Sequence, residues 1–163
     1  MKLSIRKAQK NDVPTILKFI KLLAEYEKLA HEVVADENLL ESQLFGEKSP
    51  VQVLIADLNE QPVGFALYFY NFSTFLGRKG IYLEDLFVLP ETRGQGVGKR
   101  LLQALAAQAV AEGCGRVEWS VLDWNKPAID FYKSIGAVPM DEWTVYRLTG
   151  QNLENFARSS GEG

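Results

Sequence analysis

The sequence holds one cysteine, Cys114, and one histidine, His31, among 163 residues. A single thiol leaves no intrachain disulfide to form and fits a reducing, cytoplasmic setting. With one histidine and one cysteine there is no cluster of metal-ligand spacing, so no metal is expected. Nor does Cys114 sit in a motif that would make it a nucleophile. No apolar run reaches the length of a membrane span. The opening MKLSIRKAQKND lacks the apolar stretch of a signal peptide. Neither sign of charge dominates: 18 Lys+Arg against 21 Asp+Glu leave a net charge of -3. That gives no general pull toward nucleic acid or an anionic membrane.

What is present is ordinary for a globular protein: 47% hydrophobic and 24% charged residues. The length suits one domain, expected over residues 1–158, with SSGEG at 159–163 as a flexible tail. Strands are expected at 2–7, 51–58, 62–70, 80–89, 116–122 and 143–148. The second and third form a hairpin through Asn59, Glu60 and Gln61. Asp12 reads as an N-cap, with Pro14 in the first turn, opening a helix to about Leu29. A second helix starts after Asp36 and stops before Gly46. A third spans about 96–112, its apolar face being Val97, Leu101, Leu102, Leu105 and Ala109, and Gly113 ends it. Asn125 caps a fourth to about Ile135. The order β-α-α-β-β-β-α-β-α-β describes a mixed α/β sheet with helices on both faces.

The segment VLPETRGQGVGKRLLQAL, residues 88–105, asks for a chemical reason. Gly94, Gly96 and Gly98 fall at alternate positions where a helix begins, flanked by Arg93, Lys99 and Arg100. A helix N-terminus offers unpaired N–H groups and a partial positive charge, and glycines let an anion approach the backbone. The segment suits a cradle for phosphate or diphosphate; a tight strand-to-helix turn with exposed cations also fits it. A Walker A loop fails, because Arg100 stands where Ser or Thr must hold magnesium. The dinucleotide pattern G-x-G-x-x-G also fails, ending on Lys99 or Leu101.

The pattern that does match is [QR]-x-x-G-x-[GA], read as Arg93-Gly94-Gln95-Gly96-Val97-Gly98. With LAEYEKL (23–29), YLEDLFVLPETRGQGVG (82–98) and VLDWNKPAIDFYKSIGA (121–137), the chain resembles the GNAT superfamily of acetyl-CoA-dependent N-acetyltransferases. Within it, the resemblance is to the branch of diamine (spermidine/spermine) and thialysine enzymes. It implies a mostly antiparallel twisted sheet of six to seven strands with about four helices. It also implies a homodimer, and direct transfer of an acetyl group from acetyl-CoA to a primary amine in a ternary complex.

The resemblance further implies roles. Glu84 would take part in amine recognition and deprotonation, directly or through water, and Asp85 would be a substrate contact. Backbone groups of Leu86, Phe87 and Val88 would pair with the pantetheine arm as an added strand. Arg93, Gly94, Gln95, Gly96, Val97, Gly98 and Lys99 would hold the diphosphate. Asn125, Ala128 and Lys133 would form a further wall of the coenzyme site. Tyr132 would protonate the departing sulfur, and Tyr26 and Glu27 would contact the amine.

From the residues alone, Tyr132 reads as core and Asn125 as a helix cap, and Glu84 and Asp85 can be read as one solvated and one paired carboxylate. Glu25, Glu27, Glu32, Asp36 and Glu37, with Glu84, Asp85 and Asp123, make a candidate negative pocket for a cationic amine. A solvated helix face with Lys21 and Lys28 is the other reading. Beside the diamine or thialysine reading stand two alternatives: a GNAT enzyme for another amine or a protein N-terminus, and an acetyl-CoA-binding sensor without turnover.

Overall fold

The computed structural model describes residues 2–159. They fall into two compact units, 2–122 and 123–159. The first contains a five-stranded sheet, β1 (Leu3–Lys7), β2 (Val51–Leu58), β3 (Gln61–Ser73), β4 (Arg78–Val88) and β5 (Val117–Trp119), in sequence order across the sheet. The first four strands are antiparallel; β5 runs parallel to β4. The parallel step needs a crossover, and α3 (Val97–Ala111) supplies it.

The apolar run Val53-Leu54-Ile55-Ala56 in β2 is buried throughout. Its side chains alternate between two covered faces, so no polar alternation shows in the sequence. On one face lie α1 (Val13–Tyr26) and α2 (Glu37–Phe45). Val13, Ile16 and Phe19 of α1 and Leu40 and Leu44 of α2 cluster with Val53, Ile55, Phe65, Leu67 and Phe87 of the sheet. Phe19 is the hub, its ring 5.7 Å from that of Phe65 and 5.8 Å from that of Phe87. Burial of one such ring stabilises the fold by about 1.5–3 kcal/mol. On the other face α3 buries Val97, Leu101, Leu105 and Ala109, and its Gln108 donates to the Tyr70 hydroxyl of β3 at 3.2 Å.

Asp12 differs from the expected helix cap. It ends a 3-10 turn, Lys10–Asp12, and its side chain does not cap α1. Its carboxylate instead accepts two bonds from the Arg6 guanidinium, at 2.8 and 3.0 Å, and one from the Gln9 N–H at 2.7 Å. Arg6 also reaches Asp57 at 2.6 Å. The fork of Arg6 matches a carboxylate better than a helix amide does, and it holds the Asp12 carboxyl below its usual range. Asp36 does cap α2, accepting from the Leu39 N–H at 2.8 Å. The β2–β3 hairpin closes on a two-residue turn, Asn59 and Glu60, both at positive φ.

The second unit holds α4 (Lys126–Ser134) and α5 (Gly150–Arg158). Asn125 caps α4, its side-chain oxygen accepting from the Ala128 N–H at 3.4 Å. Residues 143–148 have the composition of a strand but form no ladder among the described residues. The architecture is thus the expected mixed, mostly antiparallel one, with five strands among the described residues instead of six to seven. Five α-helices lie among the described residues, where about four were expected. The added helix, α5, escaped the sequence reading because it opens on Gly150 at φ 59° and carries only Leu153 and Phe156 at helical spacing. From residue 160 on, the expected tail lies outside the described residues.

Candidate active site

The two adjacent acids of β4 sit at a β-bulge. Leu67 of β3 stands opposite Asp85, but its neighbour Tyr68 stands opposite Leu83, so Glu84 has no partner in the register. Two backbone hydrogen bonds record the same shift. Ile81 donates to Arg116 on the β5 side, whereas Leu89, eight residues on, donates to Val63 on the β3 side. In a regular strand these two amides would face the same edge; one inserted residue reverses them. The side chains follow. Asp85 shares the face of its partner Leu67, and Phe87 that of Phe65. Glu84, next to Leu83 on the opposite face, leaves from the same side as Asp85. The bulge therefore brings both carboxylates to the α1 face, which a regular strand cannot do.

The bulge also changes the β5 edge. The β4–β5 ladder ends at Leu83 opposite Trp119. Past that point the reversed alternation turns the backbone groups of Leu86 and Val88 toward the edge that β5 has left. Tyr82 and Ser120 mark the parting, their hydroxyls sharing a hydrogen bond of 2.8 Å. Ser120 carried no signal in the sequence that could have placed it there.

Beyond β4, the 3-10 turn Pro90–Thr92 leads into the glycine loop. Thr92 is buried, and its hydroxyl ties back to the Leu89 carbonyl at 2.9 Å. Gly94 at φ 82° and Gly96 at φ 81° take left-handed backbone, which side chains rarely adopt. Gly96 is the N-cap of α3 and provides no side-chain cap. The first amide to find a carbonyl inside the helix is that of Arg100, donating to Gly96 at 3.0 Å. The amides of Val97, Gly98 and Lys99 precede it at the positive end of the helix dipole. Gly98 is different: its φ is helical, and an added Cβ would meet only Val88 Cγ2, at 3.7 Å.

The end of α1 meets the bulge. Burial pushes the Asp85 carboxyl up to about 6, with repulsion from Glu84 and then Glu27 adding to it. Burial also raises Glu27. The charges of Glu84 and Glu27 thus both bear on Asp85 and disfavour its ionisation. Of the other acids expected at this pocket, Glu25, Glu32, Asp36 and Glu37 are exposed, and Asp36 caps α2. His31 is exposed and lies 3.6 Å from Glu32. Arg93 points toward this group of residues. Its Nε donates to the Val88 carbonyl at 3.2 Å, and its guanidinium carbon lies 5.0 Å from the Tyr26 ring centre and 5.7 Å from that of Phe87.

In the second unit, Asn125 and Ala128 form the first turn of α4. Tyr132 packs its ring 5.9 Å from that of Phe131, and Lys133 is exposed in the last turn. No group of three or more potential metal ligands occurs among the described residues.

Among the described residues, then, a bulged strand whose outer edge is unpaired past Leu83 runs into a glycine loop at a helix start. Residues 17–137 match the model of the acetyltransferase (GNAT) family. The chain belongs to that family. This GNAT chain is 40% identical over 164 residues to the thialysine N-epsilon-acetyltransferase of Bos taurus, covering 94% of this chain and 96% of the relative. It is 35% identical to the L-ornithine N5-acetyltransferase of Arabidopsis thaliana, covering 92% of this chain and 86% of the relative. Among solved structures it resembles an integron cassette protein from the mobile metagenome of V. cholerae. That match has a TM-score of 0.82 at 33% identity and covers 98% of this chain and 99% of the other. The protein is an acetyltransferase of GNAT architecture.

Proposed function

We propose that this acetyltransferase moves the acetyl group of acetyl-CoA to a primary amine of a small cationic substrate. The amine would belong to a thialysine- or lysine-like amino acid or a polyamine. The observation that carries the reading is the bulge at Glu84. It sets two carboxylates beside Glu27 on one face and frees the backbone edge of Leu86 and Val88 on the way to the glycine loop. Similarity over nearly the whole chain to enzymes named for thialysine and for ornithine supports an amine on a short aliphatic arm.

The residues present fit coenzyme A. The edge at Leu86–Val88 can accept an extended amide-bearing arm as a further strand. The loop from Arg93 to Lys99, including Gln95, offers left-handed glycines and unpaired helix amides to a diphosphate. Asn125, Ala128 and Lys133 are proposed as further contacts. When bound, acetyl-CoA supplies the activated acetyl thioester.

The chain's own groups would then do the following. Tyr26, Glu27 and Asp85 hold the cationic amine. Glu84 takes a proton from it, directly or through water, since an ammonium cannot attack. A backbone N–H of the free β4 edge polarises the acetyl carbonyl. Tyr132 gives a proton to the departing sulfur. No metal enters this scheme. The exposed apolar residues Trp143, Val145 and Tyr146 support a second copy as partner, giving a homodimer. The lone cysteine supports a cytoplasmic setting.

The test is release of free thiol from acetyl-CoA with a panel of acceptors: thialysine, lysine, ornithine, spermidine, putrescine and a short peptide. The reading expects a small cationic amine to give the highest kcat/KM. Turnover only with the peptide would move the protein to N-terminal acetylation, and background rates throughout would remove the reading.

A further inference from the structure

We propose that Arg93 is a positioning residue of the amine site: its guanidinium holds the Tyr26 ring, and coenzyme binding at the loop draws it away. The inference rests on the coenzyme site described under Proposed function. It adds a physical link between the two halves of the reaction.

Arg93 opens the loop assigned to the diphosphate, yet its side chain turns back along the strand. Its Nε–H donates to the Val88 carbonyl at 3.2 Å, and its guanidinium lies 5.0 Å from the Tyr26 ring centre. By the alternation set at the bulge, the Val88 carbonyl faces the free β4 edge. One side chain therefore touches the edge proposed for the pantetheine arm and the aromatic ring that ends α1. Tyr26 is followed by Glu27, which repels Asp85, so the position of this ring bears on the acidic group that receives the amine.

A guanidinium over an exposed ring is held weakly, and a charge-assisted hydrogen bond to phosphate is stronger. Arg93 is exposed and flexible enough to make either contact. Diphosphate at the loop should therefore win the guanidinium from the ring and from Val88. The cation over the Tyr26 ring is then withdrawn, and the cationic amine can take its place on that face after the coenzyme arrives.

The experiment is an NMR titration with coenzyme A alone, following the backbone amides of Gly94 and Gly96 and ring-labelled Tyr26. It is run on the wild type, Arg93→Met and Arg93→Lys, each taken to saturation as judged by the loop amides. The proposal expects loop and ring signals to shift together in the wild type. The ring shift should be absent in Arg93→Met and partly kept in Arg93→Lys, whose ammonium can also sit over a ring. If the loop amides shift while the Tyr26 ring does not, or if the ring still shifts in Arg93→Met, Arg93 is no link and the proposal falls, with the coenzyme site intact. If the loop amides never respond, the coenzyme site itself is wrong, and the proposal goes with it.

Discussion

Asp85 stands directly across the sheet from Leu67, a carboxyl group paired with a buried leucine. Cross-strand neighbours lie about 5 Å apart, so Asp85 loses water on that side, and Glu84 and Glu27 add negative charge. Its carboxyl is pushed up to about 6 from 3.8. The sign follows. Between these two values the folded chain holds a proton that the unfolded chain has released, so folding stability falls as pH rises through the window. Above it, ionised Asp85 is a standing penalty on the order of 3 kcal/mol. Asp85→Asn should therefore be more stable than the wild type at pH 7.5, and this advantage should fade by pH 4, measured by urea unfolding. The same variant should lose affinity for thialysine in calorimetry of the CoA-loaded protein. The wild-type affinity should weaken as pH falls below about 6. Stability differences independent of pH would contradict the raised value.

Gly98 separates binding from folding in a way that Gly96 cannot. At φ 81°, a side chain on Gly96 strains the backbone, by about 1–2 kcal/mol, so weak binding there would be ambiguous. Gly98 is helical and has room for a methyl group. Alanine in place of glycine inside a helix is favourable by about 1 kcal/mol. A helical Cβ leans toward the N-terminus, which here is the side offered to the diphosphate. Gly98→Ala should keep or raise the melting temperature while weakening coenzyme A binding about tenfold or more in calorimetry. Unchanged affinity would mean that the anion does not lie against this turn.

Much of the local geometry around this candidate site is legible in the sequence, and the exceptions share a cause. The glycine loop, the α2 cap at Asp36 and the α4 cap at Asn125 are local: the residues that need the geometry also make it. The bulge is not local. YLEDLFV shows two acids in an apolar run, but whether they share a face depends on which β3 residue stands opposite each. The strand expected at 143–148 fails for a related reason, since alternation describes a segment and pairing needs a second edge. Arg93 was readable as a cation beside glycines; that its guanidinium would lie over Tyr26, 67 positions back in the chain, was not. Ion-pair geometry likewise decided Asp12, where Arg6 on β1 outcompeted a helix terminus for the carboxylate.

That Arg6 cluster gives a stability prediction remote from the chemistry. Arg6 bonds Asp12 and Asp57, and the Asp12 side chain is largely buried, at 10% exposure. Removing the cation leaves that carboxylate without its main partner. Arg6→Leu should destabilise the fold by roughly 2 kcal/mol. The paired Asp12 carboxyl lies below its usual range. It therefore adds stability above its unfolded value of 3.8, and that stability is lost as pH falls through its lower folded value. Urea midpoints of the wild type should thus drop between pH 5 and pH 3 more than those of Arg6→Leu. Equal slopes for the two proteins would show that the cluster carries little of the acid sensitivity.

Tyr132 tests the proton proposed for the leaving thiolate. Its ring packs against Phe131 in α4, with centres 5.9 Å apart and planes at 58°. Phenylalanine keeps that packing and removes only the hydroxyl, so Tyr132→Phe should fold normally and bind coenzyme A with wild-type affinity. Positioned proton transfer contributes about 10²–10⁴-fold to a rate, so kcat should fall by about 10²-fold at pH 7.5, with the KM for acetyl-CoA nearly unchanged. A general acid also shows in the pH profile, as a falling alkaline limb of the wild-type rate. The variant should lack that limb. A kcat within twofold of wild type would assign the sulfur's proton to water.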